Sequence, residues 1–371
     1  MEKVFVVKCE REDVKIRKAV GSMLAMMGGL CCIVEEGDLV LIKPNFVAPF
    51  PEATTNLILL SEVVDQVRRC GGTPIIGESA GFEFNTRNTF EILGLRQFSI
   101  DNDVRIINFD EGEFCKVKAD GFPLKVPKVF FECDKLINIP KLKMHSVTTV
   151  SLALKNLIGA VHRDTRRRIH ISDLSKGIVL INKKIHPDIS IVDGLGFMSG
   201  RAVFGETKDI NYIIAGRNST AVDTICCGMM GIDPGRIQHI SIARKELGYT
   251  GDIQALGDYS PGCVANLGGK STIRHKVHNL LFWGLYASDL AYSKIANRSL
   301  IPSLHWFFGV RPIIDRRKCT LCGECAKICP ANAIVLVNDI RINRHICQEL
   351  RCLKCIYSCP EKAITTTKGC I

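Results

Sequence analysis

Along the first 265 or so residues, short apolar runs alternate with longer stretches of helical period. The runs Val4–Val7, Leu39–Lys43, Pro74–Gly77, Val104–Asn108, Lys135–Ile139, Ile189–Val192 and Tyr212–Ala215 are β-branched or apolar and punctuated by Gly, Pro or Asn, the pattern of strands. Between them Val14–Met27, Leu57–Cys70, Ser172–Lys183, Thr220–Met230 and Arg236–Leu247 repeat apolar residues at helical spacing. Near-continuous apolar strands separated by such helices predict an α/β fold, a largely parallel sheet covered by helices on both faces. In such sheets ligands sit beyond the carboxyl ends of the strands, so the residues there are the candidates for chemistry.

Several predicted strands end on polar residues: Lys43-Pro44-Asn45, Gly77-Glu78-Ser79, Lys141-Leu142-Lys143-Met144-His145, and Asp193-Gly194, with Lys155-Asn156 a little further along the chain. Lys141, Lys143 and His145 alternate along an extended segment, so their side chains share one face. Two ammonium groups and an imidazole on one face, near Lys43 and Lys155, would favour a carboxylate or phosphate. The competing account is a solvated basic edge strand, since Lys at an edge blocks aggregation; the cluster alone does not choose between them. His145 is the candidate proton donor, because imidazole titrates near neutrality.

The C-terminal sixty or so residues carry a second pattern. Of 18 Cys, eight crowd into Cys319–Cys359. Cys319-x2-Cys322-x2-Cys325-x3-Cys329-Pro330 is followed by Cys347-x4-Cys352-x2-Cys355-x3-Cys359-Pro360, and Cys329-Pro330-Ala331-Asn332-Ala333-Ile334 matches Cys359-Pro360-Glu361-Lys362-Ala363-Ile364. This is an internal duplication with a small insertion ahead of Cys352. Separated Cys-x-x-Cys knuckles would suit zinc, whereas four cysteines packed this tightly, each run ending in Cys-Pro, suit an iron–sulfur cube. The segment resembles a bacterial-type two-cluster 4Fe-4S ferredoxin, a small α+β domain. That resemblance implies two 4Fe-4S clusters, one held by Cys319, Cys322, Cys325 and Cys359, the other by Cys347, Cys352, Cys355 and Cys329, with Cys347 displaced by the longer x4 loop.

Composition adds limits. Hydrophobic residues at 46% and charged residues at 23% exclude a disordered or collagen-like chain. Lys and Arg exceed Asp and Glu by 49 to 38, a formal +11; two oxidised clusters at about −2 each would lower that to roughly +7. The excess gathers at Lys141–Lys143 and Arg163–Arg168 without interleaved aromatics, which favours an anionic small molecule or acidic redox partner over nucleic acid. The basic run itself reads as an exposed loop, or as an anion lid or docking patch. No secretory pattern is seen in Met1–Cys9, so a cytoplasmic, reducing and anaerobic setting is expected, with the ten other cysteines as small buried apolar residues. Residues 269–309 read as a helical linker between an α/β domain (1–268) and a ferredoxin-like domain (310–371). Its apolar stretch is too short to cross a bilayer, and packing between domains is preferred to interfacial membrane contact by 279–308. Gly194-x-Gly196-x3-Gly200 is a weak dinucleotide signal, its third Gly one residue late.

A further resemblance rests on the order Ile42-Lys43-Pro44-Asn45, Pro140-Lys141-Leu142-Lys143-Met144-His145, Ala153-Leu154-Lys155-Asn156-Leu157-Ile158-Gly159, Ile191-Val192-Asp193-Gly194 and Ala221-Val222-Asp223. From about Gly37 to Leu247 the chain is similar to a prokaryotic α/β family catalogued as a domain of unknown function and frequently fused to a ferredoxin module. The resemblance implies an α/β domain and raises the standing of Lys43, Asn45, Lys155, Asn156 and Asp193 as ligand-binding residues and of Lys141, Lys143 and His145 as candidate catalytic residues; it carries no substrate. The expected function is low-potential electron transfer through the clusters, to or from an anionic molecule or partner enzyme held by the α/β domain, as in a ferredoxin-coupled oxidoreductase. The alternatives are a non-redox enzyme or regulator with structural or sensory clusters, or an assembly and docking factor.

Overall fold

A computed structural model describes residues 1–81, 84–145, 147–198, 207–248, 251–264, 288, 292, 312–329, 332–337, 339–343, 346–347 and 354–366. They group into two compact units, residues 1–80 with 94–271, and residues 81–93 with 272–371. Nearly all of the 269–309 stretch lies outside the described residues.

The first unit is built on one sheet. Its strands are β1 (Glu2–Lys8), β2 (Leu39–Lys43), β3 (Thr73–Glu78), β4 (Arg105–Asn108), β7 (Lys135–Asn138), β8 (Lys141–His145), β9 (Thr149–Ser151), β10 (Ile189–Met198), β11 (Thr207–Gly216) and β12 (Ile253–Gly257), while β5 (Phe114–Ala119) and β6 (Phe122–Pro127) form a separate hairpin. The order is β12-β1-β11-β10-β7-β2-β3-β4, with β8 branching from β10 and β9 pairing with β8. The β4-β3-β2-β7-β10 run is parallel and only β11 and β9 lie antiparallel to their neighbours. Helices Asp13–Met26, Leu57–Arg69, Leu174–Asn182, Ser219–Met229 and Gln238–Glu246 cover it, each turning apolar residues such as Val20, Val63, Ile178, Val222 and Ile240 inward.

Two expectations change, and the weak dinucleotide signal gains no support. After Val192, β10 runs on to Met198 with every residue buried, and a bulge between Gly194 and Gly196 takes up the register. At Gly194 a Cβ would lie 2.8 Å from the Tyr212 carbonyl oxygen, so this glycine answers to a neighbouring strand. The basic run forms a helix, Arg163–Ser172, instead of an exposed loop. Its Arg166 is buried, donating to the Ala80 carbonyl at 2.8 Å and to Asp110 Oδ1 at 2.6 Å. Among the scattered cysteines, Cys9, Cys226 and Cys227 are buried as expected, but Cys31 and Cys70 form a disulfide and Cys32 and Cys263 are exposed.

The second unit contains two short antiparallel pairs, β13 (Pro312–Ile314) with β16 (Ile364–Thr366) and β14 (Ile334–Val337) with β15 (Asp339–Ile342). Helical turns Glu324–Lys327 and Lys354–Tyr357 each carry one cysteine, Cys325 and Cys355, into a small core with Ile334, Ile340 and Ile364.

Candidate functional site

The strand ends of the first unit converge as the topology requires, and their side chains are buried. Lys43 at the end of β2 meets Glu78 at the end of β3, Nζ to Oε2 2.7 Å. Burial pushes the Lys43 ammonium down and the Glu78 carboxyl up, and the ion pair opposes both shifts. On β8, Lys141 lies opposite Asp193 of β10 and pairs with it at 3.0 Å. Asp193 also accepts from the backbone N–H of Asn56 at 2.7 Å and of Leu195 at 3.0 Å. Lys43 and Lys141 thus spend their charge on carboxylates inside the fold.

Lys143 does not. Two residues beyond Lys141 on the same buried face, it donates to Asn45 Oδ1 at 2.9 Å and to the Ala53 carbonyl at 3.3 Å, and pairs with no carboxylate among the described residues. Burial, reinforced by Lys141, pushes it down to about 7. Asn45 donates in turn to Asn156 Oδ1 at 2.8 Å, Asn156 to Asn138 Oδ1 at 2.8 Å, and Asn138 to the Ala153 carbonyl at 3.0 Å. The solvated edge strand is therefore not what forms, since Lys141 and Lys143 are each 3% exposed.

Lys155 and Asn156 sit on one helical turn, Ala153–Asn156. No side chain of that turn caps it; instead Asp223, from helix Ser219–Met229, accepts the backbone N–H of Ala153 at 2.7 Å and of Leu154 at 3.1 Å. Those otherwise orphaned donors give Asp223 its structural purpose. The turn holds Lys155 buried with no hydrogen-bond partner among the described residues. Burial, with Lys143 nearby, holds its ammonium well below the usual range.

His145 ends β8. Its Nδ1 accepts the backbone N–H of Val147 at 3.1 Å and of Thr148 at 3.4 Å, which leaves the ring proton on Nε2. Burial pushes this imidazole well below its ordinary value, with Lys155, His170, Lys143 and His239 acting in the same direction. In the neutral form that burial favours, the ring can donate a hydrogen bond through Nε2. Sequence reasoning missed His170, which sat inside the basic run, and His239, a lone histidine in helix Gln238–Glu246 that no spacing marks.

In the second unit Cys319, Cys322, Cys325 and Cys359 line one pocket with Gly323, Ile340 and Ile364. Among the described residues no three His, Cys, Asp or Glu converge tightly enough to hold a single ion. Four cysteines spread around one pocket fit an iron–sulfur cube, which takes its thiolates at separate corners. The two runs are matched in detail. Cys329 Sγ accepts from Ala333 N at 3.2 Å, and Cys359 Sγ from Ala363 N at 3.2 Å. Asn332 and Lys362 take the same left-handed backbone, φ 49° and 48°. Cys329, Cys347 and Cys355 are placed, and Cys352 lies outside the described residues. Among the described residues no helix is long and apolar enough to cross a membrane.

Comparison with known proteins agrees with both halves. Residues 312–335 match the 4Fe-4S binding domain, so the chain carries an iron–sulfur electron-transfer module. The thylakoid-associated protein sll1697 of Synechocystis sp. is 29% identical over 238 residues, 61% of this chain and 73% of that protein. The lactate racemase apoprotein of Thermoanaerobacterium thermosaccharolyticum aligns with a TM-score of 0.41 and 13% identity, over 62% of this chain and 57% of that one; a likeness of that depth says nothing of this chain's chemistry. Residues 40–228 match the domain of unknown function DUF362. That span takes in Lys43, Asn45, Lys141, Lys143, His145, Lys155, Asn156, Asp193 and Asp223, so the buried polar site and the match coincide, and the chain belongs to the DUF362 family.

Proposed function

We propose that this protein passes low-potential electrons through two 4Fe-4S clusters to or from an anionic small molecule held by the α/β unit, in the cytoplasm. The observation that carries the reading is the pocket in which Cys359 of the second cysteine run joins Cys319, Cys322 and Cys325 of the first. By the matched repeat, Cys329 joins Cys347, Cys352 and Cys355. When bound, the clusters supply one-electron chemistry. The chain's residues do the rest. The Ala333 and Ala363 N–H groups bond the Cys329 and Cys359 sulfurs, which stabilises thiolate charge and raises the potential. In the α/β unit, Lys143 and Lys155 carry positive charge once an anion offsets their burial, and Asn45, held by Asn156, orients Lys143. Lys141 and Lys43 support the site through Asp193 and Glu78.

The test is anaerobic purification from the native host, extraction of bound small molecules, and photoreduction of the clusters. The extracted compound should reoxidise reduced wild-type protein and act at least tenfold more slowly on K143M/K155M. Equal rates in both would overturn the α/β half of the reading. Fewer than about six irons per chain would overturn the two-cluster half.

A further inference from the structure

Around Lys143 and Lys155 the hydrogen-bonding inventory is lopsided. Lys155 carries at least two N–H donors and has no hydrogen-bond partner among the described residues. Lys143 spends two N–H groups, both on neutral oxygens. His145 keeps a free Nε2–H, its Nδ1 being occupied by Val147 and Thr148. His239 is 1% exposed and neither ring nitrogen has a partner. An imidazole buried without any hydrogen bond is costly, of the order of 1–3 kcal/mol for each polar group, and such a group calls for an explanation, a bound water, ion or ligand among them. Lys143 and His145 alternate along β8, and Asn45 and Asn156 link Lys143 to the Ala153–Asn156 turn. Helix Gln238–Glu246 packs on the helices Leu174–Asn182 and Ser219–Met229 that also pack on that turn. Lys155 in turn disfavours the charged form of His145 and of His239. These residues come from different elements, β8, the Ala153–Asn156 turn and helix Gln238–Glu246, so no local sequence preference explains their meeting.

The carboxylates nearby are already committed. Glu78 is paired with Lys43, Asp193 with Lys141, and Asp223 with two backbone N–H groups. Among the described residues Lys143 and Lys155 therefore have no carboxylate partner, and a bound anion would supply the counter-charge that keeps them protonated against burial. We propose that Lys143, Lys155, His145 and His239 form a binding site for a small doubly charged oxyanion, a phosphate or a dicarboxylate, with Lys143 and Lys155 matching its charge and the two imidazoles its oxygens. The proposal names the ligand class for the α/β site of the function proposed above and rests on that reading.

The experiment is equilibrium binding to the oxidised full-length holoprotein by calorimetry at pH 7, with inorganic phosphate, oxalate and acetate as probes. Phosphate or oxalate should bind at least tenfold more tightly than acetate, and whichever binds tighter identifies the source. K155M should weaken the dianion at least tenfold and H239F several-fold. H239Q, which keeps a donor and an acceptor, should recover most of the loss. Circular dichroism and iron content unchanged from wild type establish that these variants fold. Acetate binding as tightly as the dianions, or dianion affinity indifferent to K155M, would overturn the proposal. No electron is transferred in this measurement, so it can fail while cluster reoxidation still depends on Lys143 and Lys155, and the reverse also holds.

Discussion

Lys43 and Glu78 end neighbouring parallel strands and meet at 2.7 Å with both side chains almost wholly inside the protein. Removing one partner strands a buried charge, whereas removing both does not. Glu78→Gln should lower unfolding free energy by about 3–5 kcal/mol, and K43M/E78L by clearly less. Denaturant unfolding of wild type and both variants checks this, and equal losses in the two would contradict it.

Asp223 touches no candidate ligand group, yet it fixes the turn that presents Lys155 and Asn156. Asp223→Ala should cost about 1–2 kcal/mol of stability, as loss of a helix N-cap does, and weaken oxalate binding nearly as much as K155M. Asp223→Asn, which retains one acceptor, should recover part of both. Stability reduced with oxalate affinity intact would show that the turn does not position Lys155.

Lys143 provides a pH signature. Burial and Lys141 push it down to about 7, Lys43 adds to that, and Glu78 opposes it. In the unfolded chain a lysine titrates near ~10.4, so between these values the unfolded state holds more protons. Stability of the ligand-free protein should therefore rise with pH from about 7 to 10, by up to ~1.4 kcal/mol per unit from this group. Lys155, shifted in the same direction, adds to it. K143M should flatten part of that slope in urea titrations at pH 7.5–9.5; a slope identical to wild type would place the titration elsewhere.

The crossed cysteine set predicts paired losses. Cys359→Ser should remove the cluster held by Cys319, Cys322 and Cys325, and Cys329→Ser the other, each lowering iron from about eight to about four per chain. Anaerobic iron analysis with electron paramagnetic resonance of the reduced protein distinguishes the two. Both variants losing the same resonance would contradict the crossing.

The sheet was legible because its strands are continuous apolar runs: Leu39–Lys43 forms as read, and the five long helices agree within a few residues. The duplication was legible because a repeat needs no tertiary context. What sequence reading could not settle was charge pairing. Lys141 and Lys143 have the same residue type, face and burial, and only the register placing Asp193 beside Lys141 separates their roles. Arg163–Ser172 looked like a loop because its charges hide Thr165 and Ile169, which face the interior. The Cys31–Cys70 bridge joins residues 39 apart and has no sequence signature. His239 stayed invisible for the same reason, its neighbours being supplied entirely by packing.

The row Lys143, Asn45, Asn156, Asn138 and the Ala153 carbonyl has a direction. An ammonium can only donate and a carbonyl oxygen can only accept, so the two ends dictate which way every amide between them faces. None of the asparagines can flip alone, and all cannot flip together without breaking both ends. The direction is thus carried from just beyond β2 through the Ala153–Asn156 turn to β7. A neutral Lys143 would still keep two N–H groups, enough for Asn45 Oδ1 and the Ala53 carbonyl, so the row holds its direction while the charge at its end comes and goes.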